Sequence, residues 1–173
     1  MEFTPTATNY FELFGLPEQF IIDINVLNER YLALQQVVHP DNYSTASNQA
    51  RLAALQKSAI LNDALRTLKE PLARANYLLS LRGFHSNLHS ATTSDAEFLM
   101  EQLQLREELA VALDVQAIDI IVTKLKHQYD SLMNMLAHEL NFKNWLSAQN
   151  IVYKLQFLSK LQRSAEALLD ETH

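Results

Sequence analysis

Two glycines and four prolines in 173 residues leave this chain few places to turn. Leu, Ala, Gln and Glu abound between them, and these residues favour long helices over a sheet that needs many tight corners. An all-α class follows. The 48% hydrophobic content supports a real core, and the length suits one ordinary domain or two small ones.

The formal charge is −6, divided as −2 over residues 1–80 and −4 over the remainder, so neither part is a basic module suited to nucleic acid or an anionic membrane surface. No cysteine is present, which excludes disulfides, thiolate nucleophiles and thiolate ligation of a metal or cluster by this chain. The opening MEFTPTATNY lacks the basic start and apolar stretch of a secretory signal. With no 18-residue apolar run either, the expectation is a soluble cytoplasmic protein.

Periodicity places the helices. NYFELFGL is a short apolar turn closed by Gly15, a candidate left-handed C-cap. Asp23 precedes a pattern running to about Val38, with Leu27, Tyr31, Leu34 and Val38 forming one buried stripe. A second long pattern runs from near Asn48 to Lys69, where Leu52, Leu55, Ile60, Leu61, Leu65 and Leu68 wrap much of the circumference, as in a helix packed on more than one side. The two form an antiparallel hairpin. PLARANYLLSL then ends at Gly83, a second candidate C-cap, and the polar FHSNLHSATTSD reads as a linker. Ser94 and Glu97 have capping-box spacing for the first of three further helices, 95–113, 116–141 and 144–169, which make a small bundle. The expected domains are therefore 1–83 and 95–173, joined by a linker over 84–94.

At the hairpin tip His39, Pro40 and Asp41 are consecutive. Proline accounts for a helix stop but not for its neighbours. Held extended by Pro40, His39 cannot sink into the helix it ends, and Asp41 offers a fixed negative charge suited to an arginine on a partner. A chance match to this tripeptide arises in only about one chain in a hundred of this length.

The HPD tip between two antiparallel helices resembles the J-domain of DnaJ-type co-chaperones. The further segments NYFELFGLP, LNERYLALQQVVHPDNY, LNDALRTLKEPLARANYLLSLRGF and FLMEQLQLREEL are similar to the HscB family, the dedicated J-domain co-chaperones of iron-sulfur cluster assembly. This resemblance covers roughly residues 9–169. It implies an N-terminal J-domain, a C-terminal three-helix domain, and engagement of a DnaK/HscA-type chaperone ATPase through His39, Pro40, Asp41 and Arg30. One departure stands out. J-domains commonly carry several basic residues on the helix before the tip, whereas here that helix has only Arg30, with Gln35, Gln36 and Asn42 nearby. Lys57, Arg66 and Lys69 supply some positive field or an ordinary solvated face.

The helix over 95–113 has apolar side chains on two sides. At about 100° per residue, Phe98, Leu105, Leu109 and Leu113 share the core arc, while Leu99, Met100, Leu103 and Val111 lie well outside it. Periodicity alone leaves two coverings open, the chain's own helices or a partner. The resemblance favours a partner, since the corresponding HscB surface binds the IscU-type cluster scaffold, and it implies Leu99, Met100, Leu103, Gln104, Glu107 and, from YKLQFLSKL, Phe157 as the contact residues. Gln104 and Val111 stand where that surface tends to be acidic, yet residues 95–119 still carry seven acidic groups against Arg106 alone.

His85 and His89 have metal-like spacing without a third ligand, so no metal site and no cofactor are expected. His39 with Asp41 lacks a nucleophile or oxyanion site, which argues against an enzyme. Three readings emerge: an adaptor delivering an IscU-type scaffold to a chaperone and stimulating its ATPase, a J-domain protein for unfolded clients, and a helical adaptor whose HPD is incidental.

Overall fold

A computed structural model describes residues 9–39, 42, 47–85, 96–112 and 114–172. Among them are seven helices and no strand: α1 Tyr10–Leu13, α2 Ile24–Val38, α3 Asn48–Lys69, α4 Pro71–Ser80, α5 Ala96–Val111, α6 Val115–Asn141 and α7 Trp145–Thr172. The fold is all-α, as composition implied. The chain divides into two compact units, Met1–Leu78 and Leu79–His173. Residues 86–94 of the expected linker, with His89 and the Ser94 cap, lie outside the described residues, as does Leu113 of the expected core arc.

In the first unit α2 starts where Asp23 accepts from the amides of Asn25 at 2.8 Å and Val26 at 3.3 Å, satisfying two amides the helix cannot. Leu27, Leu34 and Val38 of α2 are buried, as are Ala54, Leu61, Ala64 and Leu68 of α3, and the two helices pack on each other. Tyr31 is half-buried and its hydroxyl donates to Asn62 Oδ1 at 2.8 Å, locking the hairpin register. The expectation that α3 is packed on several sides is corrected: Leu52, Leu55 and Ile60 are exposed. The small Ala54 and Ala64 take the core positions instead, which allows close approach of α2.

Both glycines adopt the left-handed backbone that stops a helix, Gly15 at φ 60° and Gly83 at φ 80°. Behind Gly15 the Leu16 amide donates to Phe11 O at 2.8 Å, and behind Gly83 the Phe84 amide donates to Leu79 O at 3.0 Å. The N-terminal turn is fixed by Tyr77, whose ring stacks on Tyr10 at 4.6 Å and whose hydroxyl accepts from the Tyr10 amide at 2.9 Å. Arg74, in PLARANYLL, is buried; it donates to the carbonyls of Phe20 and Leu68 and lies 5.2 Å from the Phe20 ring centroid. Burial lowers its pKa, and Glu70 partly restores it.

In the second unit α6 and α7 form a long antiparallel pair, and α5 packs against one end of it. Leu105 and Leu109 meet Ile118, Ile121, Leu125, Leu158, Leu161 and Ala165 there. Toward the other end, residues following α4 reach α7: Arg82 lies 5.4 Å from the Trp145 ring centroid, and Gln149 donates to His85 O at 3.0 Å. The bundle is thus three helices thick over only part of its length. Burying Leu105 and Leu109 contributes about 1.5–3 kcal/mol each. Against this, Gln102 on the same inward face is fully buried with neither amide atom partnered.

Candidate functional site

Two surfaces carry the candidate residues, one in each unit. In the first, α2 ends at His39, whose φ −59° and ψ 130° are the extended geometry that a following proline imposes. His39 is exposed. Pro40 and Asp41 lie outside the described residues. Asn42 folds back onto the helix end, its amide donating to His39 O at 3.1 Å and its Nδ2 to Gln36 O at 2.7 Å. A residue beyond the tripeptide therefore caps the carbonyls that α2 leaves open. Sequence reading noted Asn42 only as a missing cation; its capping role depends on a return of the chain that periodicity does not show.

Arg30 sits elsewhere in the hairpin's economy of contacts. It is half-buried, and one guanidinium nitrogen donates to the carbonyls of both Phe14 and Gly15. The cation thereby ties α2 to the end of α1. Arg66 is likewise engaged, by Asp63 at 2.9 Å.

The second surface is the outward side of α5. Leu99, Met100, Leu103 and Val111 are 36%, 68%, 52% and 71% exposed, so within this unit α6 and α7 leave the apolar stripe open. Gln104 and Glu107 are exposed beside it, and a groove of about 530 Å³ runs between Glu97, Met100, Glu101, Leu103, Gln104 and Glu107. Gln104 donates to Glu108 at 3.0 Å, and Glu108 faces Lys124 of α6 at 3.6 Å. These contacts hold the polar border of the stripe in place.

Phe157 reaches this surface from α7. Its ring meets Phe98 edge-on at 6.3 Å with planes 75° apart, and the Arg106 guanidinium lies 5.1 Å from its centroid. Lys154 is placed the same way over Phe98, at 5.1 Å. Phe98, which packs against the bundle core as its angle on the wheel predicts, also adjoins the candidate set, and so do Arg106 and Lys154, which the sequence did not single out. The two cations give no sign in the sequence, since cation–aromatic pairing between α5 and α7 has no sequence period.

Among the described residues no group of three His, Asp or Glu side chains is placed to hold a metal ion, and no helix is long and apolar enough to cross a membrane.

Residues 94–166 match the family described as the HscB C-terminal oligomerisation domain. Over 170 residues the chain is 44% identical to a co-chaperone protein HscB homolog of Vibrio cholerae serotype O1, covering 94% of this chain and 98% of that one. The chain belongs to the HscB co-chaperone family. The solved structure of chaperone HscB from Vibrio cholerae superposes with a TM-score of 0.85 at 43% identity, covering 96% of this chain and all of that one. Human co-chaperone protein HscB gives a TM-score of 0.90 at 28% identity, over 95% of this chain and 83% of that chain. As an HscB-family member the protein is a co-chaperone with a J-domain followed by a helical C-terminal domain.

Proposed function

We propose that this co-chaperone holds an IscU-type iron-sulfur cluster scaffold on the outward face of α5 while its hairpin tip engages a DnaK/HscA-type chaperone and stimulates ATP hydrolysis. The observation that carries the reading is the uncovered stripe of Leu99, Met100 and Leu103. A soluble domain gains nothing from leaving such side chains in one row, whereas the apolar centre of an interface supplies most of its binding energy. Phe157 completes that centre, and Gln104 and Glu107 form part of the polar border.

Tethering both partners on one chain raises the effective concentration of scaffold at the chaperone. His39 and Asp41 are the groups that contact the ATPase, and Pro40 sets the direction in which His39 leaves α2. The working division is a chaperone-facing domain over 1–83 and a scaffold-holding domain over 95–173. The protein itself neither hydrolyses ATP nor ligates the cluster.

Isothermal titration of the scaffold into the full chain tests this reading. Replacing Leu99, Met100 and Leu103 together by Ala weakens binding at least tenfold while the helical circular dichroism and melting cooperativity are retained. Unchanged affinity, or loss of cooperative melting, contradicts it.

A further inference from the structure

All the sulfur in this chain is thioether sulfur, since it has four methionines and no cysteine. With no thiol to react first, these methionines are the side chains that a hydroperoxide oxidises most readily. Met100 is placed where such a change matters. It is 68% exposed and lies between Leu99 and Leu103 in the apolar stripe of α5. Of the others, Met133 is half-buried and Met135 is 54% exposed, both on α6, and neither lines the α5 groove. Met1 lies outside the described residues.

Met100 shares its groove with Glu97, Glu101, Leu103, Gln104 and Glu107. An ionised carboxylate only accepts hydrogen bonds. A sulfoxide oxygen is an acceptor too, so Glu97, Glu101 and Glu107 cannot hold it. Gln104 is the one side-chain donor in the groove, and its amide nitrogen already donates to Glu108 at 3.0 Å. The oxidised side chain is therefore left to water. In the free protein this changes little, because Met100 faces solvent and the bundle core does not include it. Under a bound scaffold the same oxygen loses its water at the apolar centre of the interface, where an unpaired polar group is unfavourable and the contacts that count most are made.

We propose that Met100 is a reversible oxidation site that releases the scaffold: a hydroperoxide converts its thioether to the sulfoxide, and methionine sulfoxide reductases convert it back. This rests on the reading that the outward face of α5 holds the scaffold. In the forward step a sulfur lone pair attacks one peroxide oxygen and the O–O bond breaks. The proton of the transferred hydroxyl passes to the departing oxygen, which leaves as water or an alcohol, and the two electrons lost by sulfur reduce the peroxide. In the return step two thiols of the reductase supply two electrons and become a disulfide, and the sulfoxide oxygen leaves as water. The polarity of a surface is switched while the core stays as it was.

The test uses the full chain carrying Met133→Leu and Met135→Leu, which leaves Met100 as the sole thioether among the described residues. It is treated with hydrogen peroxide until peptide mass spectrometry shows one oxygen added at Met100, the peroxide is removed, and the IscU-type scaffold is titrated in by calorimetry. Affinity falls at least fivefold, the circular dichroism and melting cooperativity are retained, and treatment with methionine sulfoxide reductases of both stereospecificities restores binding. Met100→Leu in the same background, compared only with itself, binds equally before and after peroxide. A fall smaller than fivefold at full oxidation, an equal fall for Met100→Leu, loss of cooperative melting, or a Met100 that resists peroxide overturns the proposal, even where the untreated chain binds the scaffold. If the untreated chain does not bind the scaffold, the reading of the α5 face itself fails and takes the proposal with it.

Discussion

The ring of Phe98 on α5 meets that of Phe157 on α7 edge-on, 6.3 Å between centroids and 75° between planes. Phe157 is half-buried, packed by Phe98 and Arg106, and yet stands beside an exposed apolar stripe. It therefore serves both the bundle and the surface, and Phe157→Ala is expected to do two things. Loss of the aromatic pair lowers stability by about 0.5–1.5 kcal/mol. Scaffold affinity, read by isothermal titration on the still-folded variant, falls at least tenfold. A variant that melts lower but binds normally would confine Phe157 to a packing role.

Gln102 is the counterpart on the inward face. It is fully buried, and neither its Nε2 nor its Oε1 has a partner. An unsatisfied buried group costs about 1–3 kcal/mol, so the nearly isosteric Gln102→Met is expected to raise stability by about 1 kcal/mol. For a unit of this size that corresponds to a melting temperature higher by about 4–8 °C. Scanning calorimetry decides it, and a lower midpoint would mean that the amide is satisfied in solution by a group such as a bound water.

Arg30 anchors α2 to α1 through the carbonyls of Phe14 and Gly15. Removing a charged donor to two carbonyls costs about 1.5–3 kcal/mol. Arg30→Met is expected to lower the denaturation midpoint of the hairpin unit, while chaperone stimulation by the folded fraction is preserved. Loss of stimulation with unchanged stability would instead return Arg30 to the docking surface.

How much of this was legible beforehand differs from helix to helix. The helix series, the two glycine caps and the stripe Leu27, Leu34 and Val38 follow from local chemistry and period, which act within a few residues. The outward face of α5 was legible as a conflict, because Leu99, Met100 and Leu103 cannot share an arc with Leu105 and Leu109. What was not legible is pairing between elements. Nothing in a wheel distinguishes Leu55, which is exposed, from Leu61, which is buried, since the hairpin chose the face with Ala54 and Ala64 for close packing. The buried Arg74 was equally hidden, because its partners are carbonyls at Phe20 and Leu68, and backbone acceptors leave no mark on the sequence.

Tyr77 links pH to the stability of the first unit. Burial raises the pKa of its phenol above the ordinary value, and the bond from the Tyr10 amide opposes this more weakly. A raised folded-state pKa means that its contribution is fully present below the unfolded value of about 10 and is lost as pH rises through the folded one. Chemical denaturation at pH 8 and at pH 11 is expected to show a larger drop for the unaltered chain than for Tyr77→Phe, which has no proton to lose there. Equal drops would remove Tyr77 from the linkage.

The central claim, that the hairpin tip of a scaffold-holding co-chaperone drives the chaperone's ATPase, is tested most directly by single-turnover ATP hydrolysis. The HscA-type chaperone of the same cell is mixed with the IscU-type scaffold and either the unaltered chain or His39→Gln. The account predicts acceleration by the unaltered chain and none by His39→Gln, with scaffold affinity the same for both. Equal rates with the two proteins would contradict it and leave a helical adaptor whose HPD is incidental.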